Sequence, residues 1–418
     1  MVFVKIIIGD SRKMIELSDN TVDLVVTSPP YWHIKDYEVE GQIGYGQSLH
    51  EYLKNLYTVW KECFRVLKPG TRLCINIGDQ FLRSIIYGRY KIAPLHAELI
   101  IQCEKIGFDY MGAIIWQKKT TMSTTGGANV MGSYPYPPNG MVEIDYEYIL
   151  IFKKPGVKSN PPADIKEKSK LTKEEWEEYF AGHWNFPGER QIGHEAMFPE
   201  ELPKRLIKMF TFVGDLVLDP FLGSGTTVKA ALNLERNSVG YEINEKFLPI
   251  IKKKIGMCTT LLNSNNRIEF IKRDKPIQIE AITDYIPNIK DAKPIISPKK
   301  FKFEGERLYR VTDILSEDTI KLDTGLIVKL LGVEIIPQKV KEAKRYLEEY
   351  VKGKQVTLKF DPLFKPKNDE ILAYVFLKNK IFINKEMIKQ GFAGIQKYNF
   401  RYRDDFIKIE RSRWMAKE

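Results

Sequence analysis

Residues 217–227, VLDPFLGSGTT, leave the chain few folds to choose from. An apolar run turns within a few residues into a helix, and it does so through Gly223 and Gly225. Glycine allows φ > 0 and lets a ligand approach the backbone, while the helix start that follows offers free N–H groups. Twenty-three residues after Asp219, a second apolar run, Val239-Gly240-Tyr241, ends at Glu242. Doubly wound α/β folds hold ribose hydroxyls on an acidic residue at the tip of the second strand. The predicted class is therefore α/β, with a parallel sheet. On these residues alone, the loop suits any nucleoside cofactor, or a tight strand–helix turn with no ligand.

The rest of the chain extends this pattern. Phe3–Ile8, Val22–Thr27, Leu73–Ile77, Ala113–Trp116 and Tyr148–Phe152 read as strands. Leu49–Leu67 has helical spacing and stops at Lys68-Pro69-Gly70. Thr120–Gly140 has no periodicity, which marks a functional loop or local disorder. Pro155–Pro199 is a second irregular stretch, with one short helix predicted around Thr172–Phe180. Leu216–Ile251 repeats strand and helix. Residues 263–300 are polar and weakly patterned, as expected of a linker with at most one short element. Phe301–Glu418 alternates strands, then gives a helix at Val340–Val351 and a helical tail. The expected domains are 1–262 and 301–418.

Charge points to a polyanionic partner. The 418 residues carry 65 Lys and Arg against 54 Asp and Glu, a net +11. Residues 301–418 hold 25 basic and 18 acidic side chains, an excess of +7. Nucleic acid is the first candidate, although solvated basic faces are common. The four cysteines are far apart and form no C-x-x-C, which disfavours both a zinc knuckle and a disulfide framework. A reducing cytoplasm is the simpler expectation. No apolar run approaches the length of a membrane span, and Lys5 and Gly9-Asp10 interrupt any signal-like start. The histidines lack metal-ligand spacing, so no metal is assigned.

Taken with Thr27-Ser28-Pro29-Pro30-Tyr31, the glycine loop resembles the amino-group-specific DNA methyltransferases. That family binds S-adenosylmethionine in a DPFxGSGTT loop and places a [DSN]-P-P-[YF] loop at its active site. The resemblance covers roughly residues 1–260. It implies a Rossmann-like methyltransferase domain whose cofactor residues are Asp10, Asp219, Phe221, Gly223, Ser224, Gly225, Thr226 and Glu242. Gly9-Asp10 would lie near the adenine, and the helix start Phe198–Pro203 near the methionine end. The catalytic loop precedes the cofactor loop, as in the circularly permuted class, which puts target recognition at about 120–199. The implied partners are double-stranded DNA with a flipped target base and a cognate restriction endonuclease.

The catalytic residues Ser28, Pro29, Pro30 and Tyr31 suit direct methyl transfer to an amine. The lone pair of an exocyclic amine is delocalised into its ring, so acceptors that bond the amine hydrogens favour a more nucleophilic nitrogen. Ser28 Oγ and the Pro29 carbonyl can accept, and the proline pair fixes the backbone. Tyr31 offers a face on which a flipped base can stack. The same four residues could simply end a strand. Cytosine-C5 chemistry needs a thiolate, and no Pro-Cys occurs. Ser28 and Trp32 resemble the cytosine-N4 branch, although a serine also accepts from adenine N6. Candidate DNA contacts are Asn129, Asn139, Lys158, Lys166, Lys168, His183, Arg190, Gln191 and His194, interleaved with Tyr134, Tyr136, Trp176 and Trp184. They could equally be ordinary loop residues.

Phe301–Glu418 resembles the thermonuclease-like domain, a five-stranded OB-type barrel with helices. The matching stretches are 317–322, 328–334, 371–375 and 384–391. Asp318 and Glu334 fall at acidic positions of that family. Lys329 stands where its first arginine belongs, Pro337 or Gln338 at its general base, and Glu370 at its second arginine. A lysine lacks the bidentate fork of arginine, and an acid repels phosphate. The expectation is a basic DNA-holding module without cleavage. Two rivals are a nuclease whose N-terminal domain only senses S-adenosylmethionine, and a non-catalytic nucleic-acid-binding protein.

Overall fold

Short runs rich in Val and Ile become strands because β-branched side chains pack well on a pleated surface. The computed structural model describes residues 2–32, 36–118, 142, 144–188, 198–256, 266–273, 279, 284–297, 300–302, 307–361, 363–364 and 370–415. It divides into two compact units, Met1–Gln80 with Ala93–Asp291, and Phe81–Ile92 with Ala292–Glu418. No helix among the described residues is long and apolar enough to cross a membrane.

In chain order the first strands are β1 (Phe3–Ile8), β2 (Val22–Thr27) and β3 (Leu67–Ile77). A short pair follows, β4 (Gln80–Leu82) and β5 (Lys91–Ala93). Then come β6 (Asp109–Lys118), β7 (Tyr146–Lys153), β8 (His183–Phe186), β9 (Leu216–Asp219), β10 (Asn237–Glu242) and β11 (Arg267–Lys272). Nine of these form one sheet in the order β11-β1-β10-β9-β2-β3-β7-β6-β8. It is parallel from β11 to β3, and β7 runs antiparallel to both β3 and β6. Every residue of β2 is buried, as a central parallel strand requires.

The helices of this unit are α1 (Leu49–Val66), α3 (Leu95–Ile106), α4 (Ala163–Lys168), α5 (Lys173–Tyr179), α6 (Glu201–Phe210), α7 (Thr226–Asn233) and α8 (Leu248–Lys254); α2 (Ser84–Tyr87) belongs to the other. Ser48 and Glu51 form a capping box that starts α1, and Thr172 and Glu175 do the same for α5. Leu24, Val26, Cys74 and Trp116 pack on α6 and α7 in one cluster.

Two local expectations change. The break expected at Lys68-Pro69-Gly70 ends the helix but starts β3 at once, six residues before Leu73. Proline's fixed φ stops a helix yet fits extended chain. Pro155–Pro199, expected to be irregular around one helix, also carries α4 and β8, elements too short to show a period. Thr120–Gly140 lies outside the described residues. Among the described residues of the polar 263–300 segment, β11 forms a strand that pairs with β1. Tyr285 in that segment is buried, stacks on Tyr57 at 4.3 Å and donates to Glu98.

The second unit is built on β12 (Tyr309–Ile314), β13 (Thr319–Leu322), β14 (Ile327–Leu330), β16 (Gln355–Lys359) and β17 (Glu370–Leu377). They close a barrel in the order β12-β13-β14-β17-β16, with β14 and β17 parallel. β15 (Val333–Ile335) pairs with β18 (Ala393–Ile395), and α9 (Val340–Tyr350), α10 (Ile383–Lys389) and α11 (Arg403–Met415) complete it. The sequence reading divides the chain into contiguous domains, and here the structure departs from it. Ile86 of α2 is 4% exposed and lies in the barrel's core cluster with Val311, Val328 and Leu347. Its carbonyl accepts from Ile295 N at 2.7 Å. The apolar Ser84–Tyr87 turn needs burial, and the barrel supplies it.

Candidate active site

Parallel strands deliver their carboxyl ends to one edge of a sheet, where α/β folds bind ligands. β1, β10, β9 and β2 are neighbours there, and the residues at or just past their ends are Asp10, Glu242, Asp219 and Ser28. Thr27 and Asp219 are 192 positions apart, yet Thr27 Oγ1 donates to Asp219 Oδ1 at 2.7 Å. Phe221 N donates to the same oxygen at 3.0 Å, and Thr227 Oγ1 to Oδ2 at 2.6 Å. Burial pushes the Asp219 carboxyl up to about 6, while these donors pull it back. Asp219 thus ties the glycine loop, the start of α7 and β2 into one piece.

Glu242 does similar work from β10. Its Oε2 accepts from Gly223 N and its Oε1 from Asn244 N, both at 2.8 Å. At 8% exposure, burial raises its carboxyl to about 7 against those two donors. Each oxygen keeps a further lone pair. Gly223 has φ +53, and a Cβ built on it meets nothing within 4 Å. A carboxylate with spare acceptor capacity beside a loop left open by a missing side chain fits a ribose with two hydroxyls.

The other predicted cofactor residues hold protein partners. Ser224 Oγ and Thr226 Oγ1 accept from Lys254 Nζ at 2.7 and 2.8 Å. The Asp10 carboxylate is clamped by Arg12, whose Nε lies 3.1 and 3.0 Å from its oxygens. Phe221 meets Trp60 edge to face at 6.2 Å, and Gly225 starts α7 at φ +90. The predicted helix start at Phe198–Pro203 opens α6, where Glu200 accepts from Asn233 at 2.7 Å.

In the predicted catalytic loop, Ser28 is half-buried and its hydroxyl makes no hydrogen bond among the described residues. Pro29 is buried, and the Pro30 carbonyl accepts from Tyr52 Oη at 2.9 Å. Trp32 is buried and donates to the Gln47 carbonyl at 2.9 Å. Tyr31 Oη donates to Glu147 Oε1 at 3.0 Å. That carboxylate holds the phenol far above the usual tyrosine range, so it stays a donor. Glu147 also receives Asn76 Nδ2 at 2.6 Å and Lys118 Nζ. Sequence reasoning missed Tyr52, Asn76, Lys118 and Glu147. The available signal was an acid in the apolar run YEYILIF and an amide in LCINI, both in buried strands.

Two recognition candidates face inward. Lys158 pairs with Asp215 and lies over the Phe212 ring. Trp184 is 1% exposed and belongs to the core beneath β8, where aromatic area is better buried than displayed. His183, Lys166, Lys168 and Trp176 are exposed. Asn129, Tyr134, Tyr136, Asn139, Arg190, Gln191 and His194 lie outside the described residues. In the barrel, Asp318 accepts from Ser316 Oγ and Thr319 Oγ1, and Lys329 Nζ is 3.5 Å away.

Residues 22–253 match the family described as DNA methylase, and residues 337–417 that described as Staphylococcal nuclease homologue. Type II methyltransferase M.MjaI of Methanocaldococcus jannaschii is 41% identical over 298 residues, covering 64% of this chain and 96% of that protein. Type II methyltransferase M.MthZI of Methanothermobacter thermautotrophicus is 34% identical over 302 residues, with coverage of 64% and 82%. Among solved structures, TTHA0409 of Thermus thermophilus, provisionally named a DNA modification methylase, was crystallised with S-adenosyl-L-methionine. It is 36% identical at a TM-score of 0.51, covering 64% of this chain and 98% of that one.

Proposed function

Because this chain belongs to the DNA methylase family, we propose that it methylates the exocyclic N4 amine of cytosine at a specific site in double-stranded DNA. It is an S-adenosylmethionine-dependent DNA methyltransferase. The observation that carries the site is the 2.7 Å bond from Thr27 to Asp219, which fastens the catalytic loop to the cofactor loop. Cytosine N4 rests on the resemblance of Ser28 and Trp32 to that branch. Adenine N6 is the second reading, since the Ser28 hydroxyl accepts from either amine.

S-adenosylmethionine, when bound, supplies a methyl group on a sulfonium. Glu242 would hold its ribose hydroxyls, with the Gly223–Thr226 backbone beside it and Asp10 at the adenine end. Ser28 Oγ and the Pro29 carbonyl accept from the target amine, which turns its lone pair toward the incoming carbon. Tyr31 stacks on the base once it has left the duplex. Pro29 and Pro30 restrict the backbone of this loop, and the buried Trp32 anchors its end.

The order of the two loops fits the permuted class, with recognition at about 120–199. The basic excess of residues 301–418 supports a DNA-holding role, and Lys329, Pro337 or Gln338 and Glu370 at the positions of the family's arginines and general base support a reading without cleavage. A cytoplasmic modification enzyme with a cognate endonuclease is the biological setting we infer. Single-molecule sequencing of DNA from an expressing host tests the reading, because it reports modified base and site together. N6-methyladenine would overturn the cytosine reading, and an unmodified genome the methyltransferase reading.

A further inference from the structure

Glu147 sits at a junction that neither the cofactor nor the amine explains. It lies on β7, between β3 and β6, and is 5% exposed. Three elements donate to its carboxylate: Tyr31 Oη from the catalytic loop at 3.0 Å, Asn76 Nδ2 from β3 at 2.6 Å, and Lys118 Nζ from the end of β6. The strand end beside it is shaped for it. A Cβ on Gly78 would sit 3.1 Å from Glu147 Cγ. A buried charge is tolerated only where its partners satisfy it, and a sheet of this kind has no structural need of one.

We propose that Glu147 is the positioning residue that fixes the plane of Tyr31 for the target base. The proposal rests on the methyltransferase reading. Tyr31 is held at both ends of its side chain. At the backbone, the preceding carbonyl, Pro30 O, is pinned by Tyr52 at 2.9 Å; at the phenol, Glu147 holds the oxygen. A base stacked on a ring so held presents its amine at a fixed distance and angle, and an error of about 1 Å there costs about 100-fold in rate. Lys118, the last residue of β6, pairs with the same Glu147 carboxylate from the other side of β7.

The test is a double-variant cycle on the full chain, with unmethylated phage genomic DNA and tritiated S-adenosylmethionine in single-turnover assays. Glu147→Gln and Tyr31→Phe should each slow transfer by about tenfold or more, with cofactor affinity unchanged. The double variant should be no slower than the slower single one, because Tyr31→Phe removes and Glu147→Gln weakens the same Tyr31–Glu147 contact. Multiplying effects, an unchanged rate in Glu147→Gln, or a loss confined to cofactor affinity would overturn the proposal. Should Glu147→Gln not fold by circular dichroism, Tyr31→Phe decides alone: a tenfold fall supports the proposal, and an unchanged rate overturns it. A wild-type protein that transfers no methyl group sinks the methyltransferase reading itself, an outcome distinct from the others.

Discussion

Cofactor affinity should depend on pH through Glu242. Burial raises this carboxyl from the ordinary 4.5 to about 7, against the N–H groups of Asn244 and Gly223. The folded protein without cofactor then keeps a proton there over a range in which the unfolded chain has lost it. Stability from this group is complete below about pH 4.5 and is lost as the pH rises through 7, a span of about 3 kcal/mol. Two ribose hydroxyls donating to the carboxylate favour its charged form and lower the pKa again. Binding should therefore expel a proton between about pH 5 and 7. Affinity should climb by up to about tenfold per pH unit in that window and level off above it. Titration calorimetry from about pH 5.5 to 8.5, in buffers of different ionisation enthalpy, measures affinity and proton release together. Glu242→Gln should flatten the curve and weaken binding at the alkaline end by about 1.5–3 kcal/mol, the worth of a hydrogen bond to a charged group. A flat affinity with no proton release in the wild-type protein would refute the assignment of Glu242 to the ribose.

Thr27→Val keeps the shape of a side chain that is 1% exposed but removes the donor to Asp219. It should lower stability by about 1.5–3 kcal/mol in urea unfolding and slow methylation; an unchanged midpoint and rate would mean that the two loops hold together without it. Ser28→Ala should leave cofactor affinity intact and cut the transfer rate by about 100-fold, and full activity would make the loop structural. Deleting residues 292–418 should uncover Ile85, Ile86 and Tyr87, which pack in the barrel core. The truncated chain should bind a hydrophobic dye and unfold earlier. If it is as stable as the full chain, residues 81–92 do not depend on the barrel. Plasmid incubated with calcium should stay intact, and nicking by the full-length protein would restore the nuclease reading.

What the sequence determined by itself was local. The strand–glycine–helix turn at 217–227, the acidic tip at Glu242 and the Ser-Pro-Pro-Tyr loop each need only a few consecutive residues. Their backbone angles and side-chain types follow from those residues wherever the segment sits. The strand cores at Phe3–Ile8 and Val22–Thr27 were legible for the same reason, since each is one apolar run. Spacing also carried the predicted helix at Thr172–Phe180 to the observed Lys173–Tyr179. Tertiary structure decided everything that depends on which strands are neighbours. Thr27 reaches Asp219 only because β2 lies beside β9. Glu147 becomes a hub only because β7 lies between β3 and β6. Lys158 and Trp184 read as surface residues until their strands and loops turn them toward Asp215 and the core. The placement of Phe81–Ile92 with the barrel has no signal in its own residues, because Ser84–Tyr87 says only that it must be buried somewhere. Hydrophobicity fixes how much surface a segment must hide, whereas the partner that hides it is chosen by the path of the whole chain.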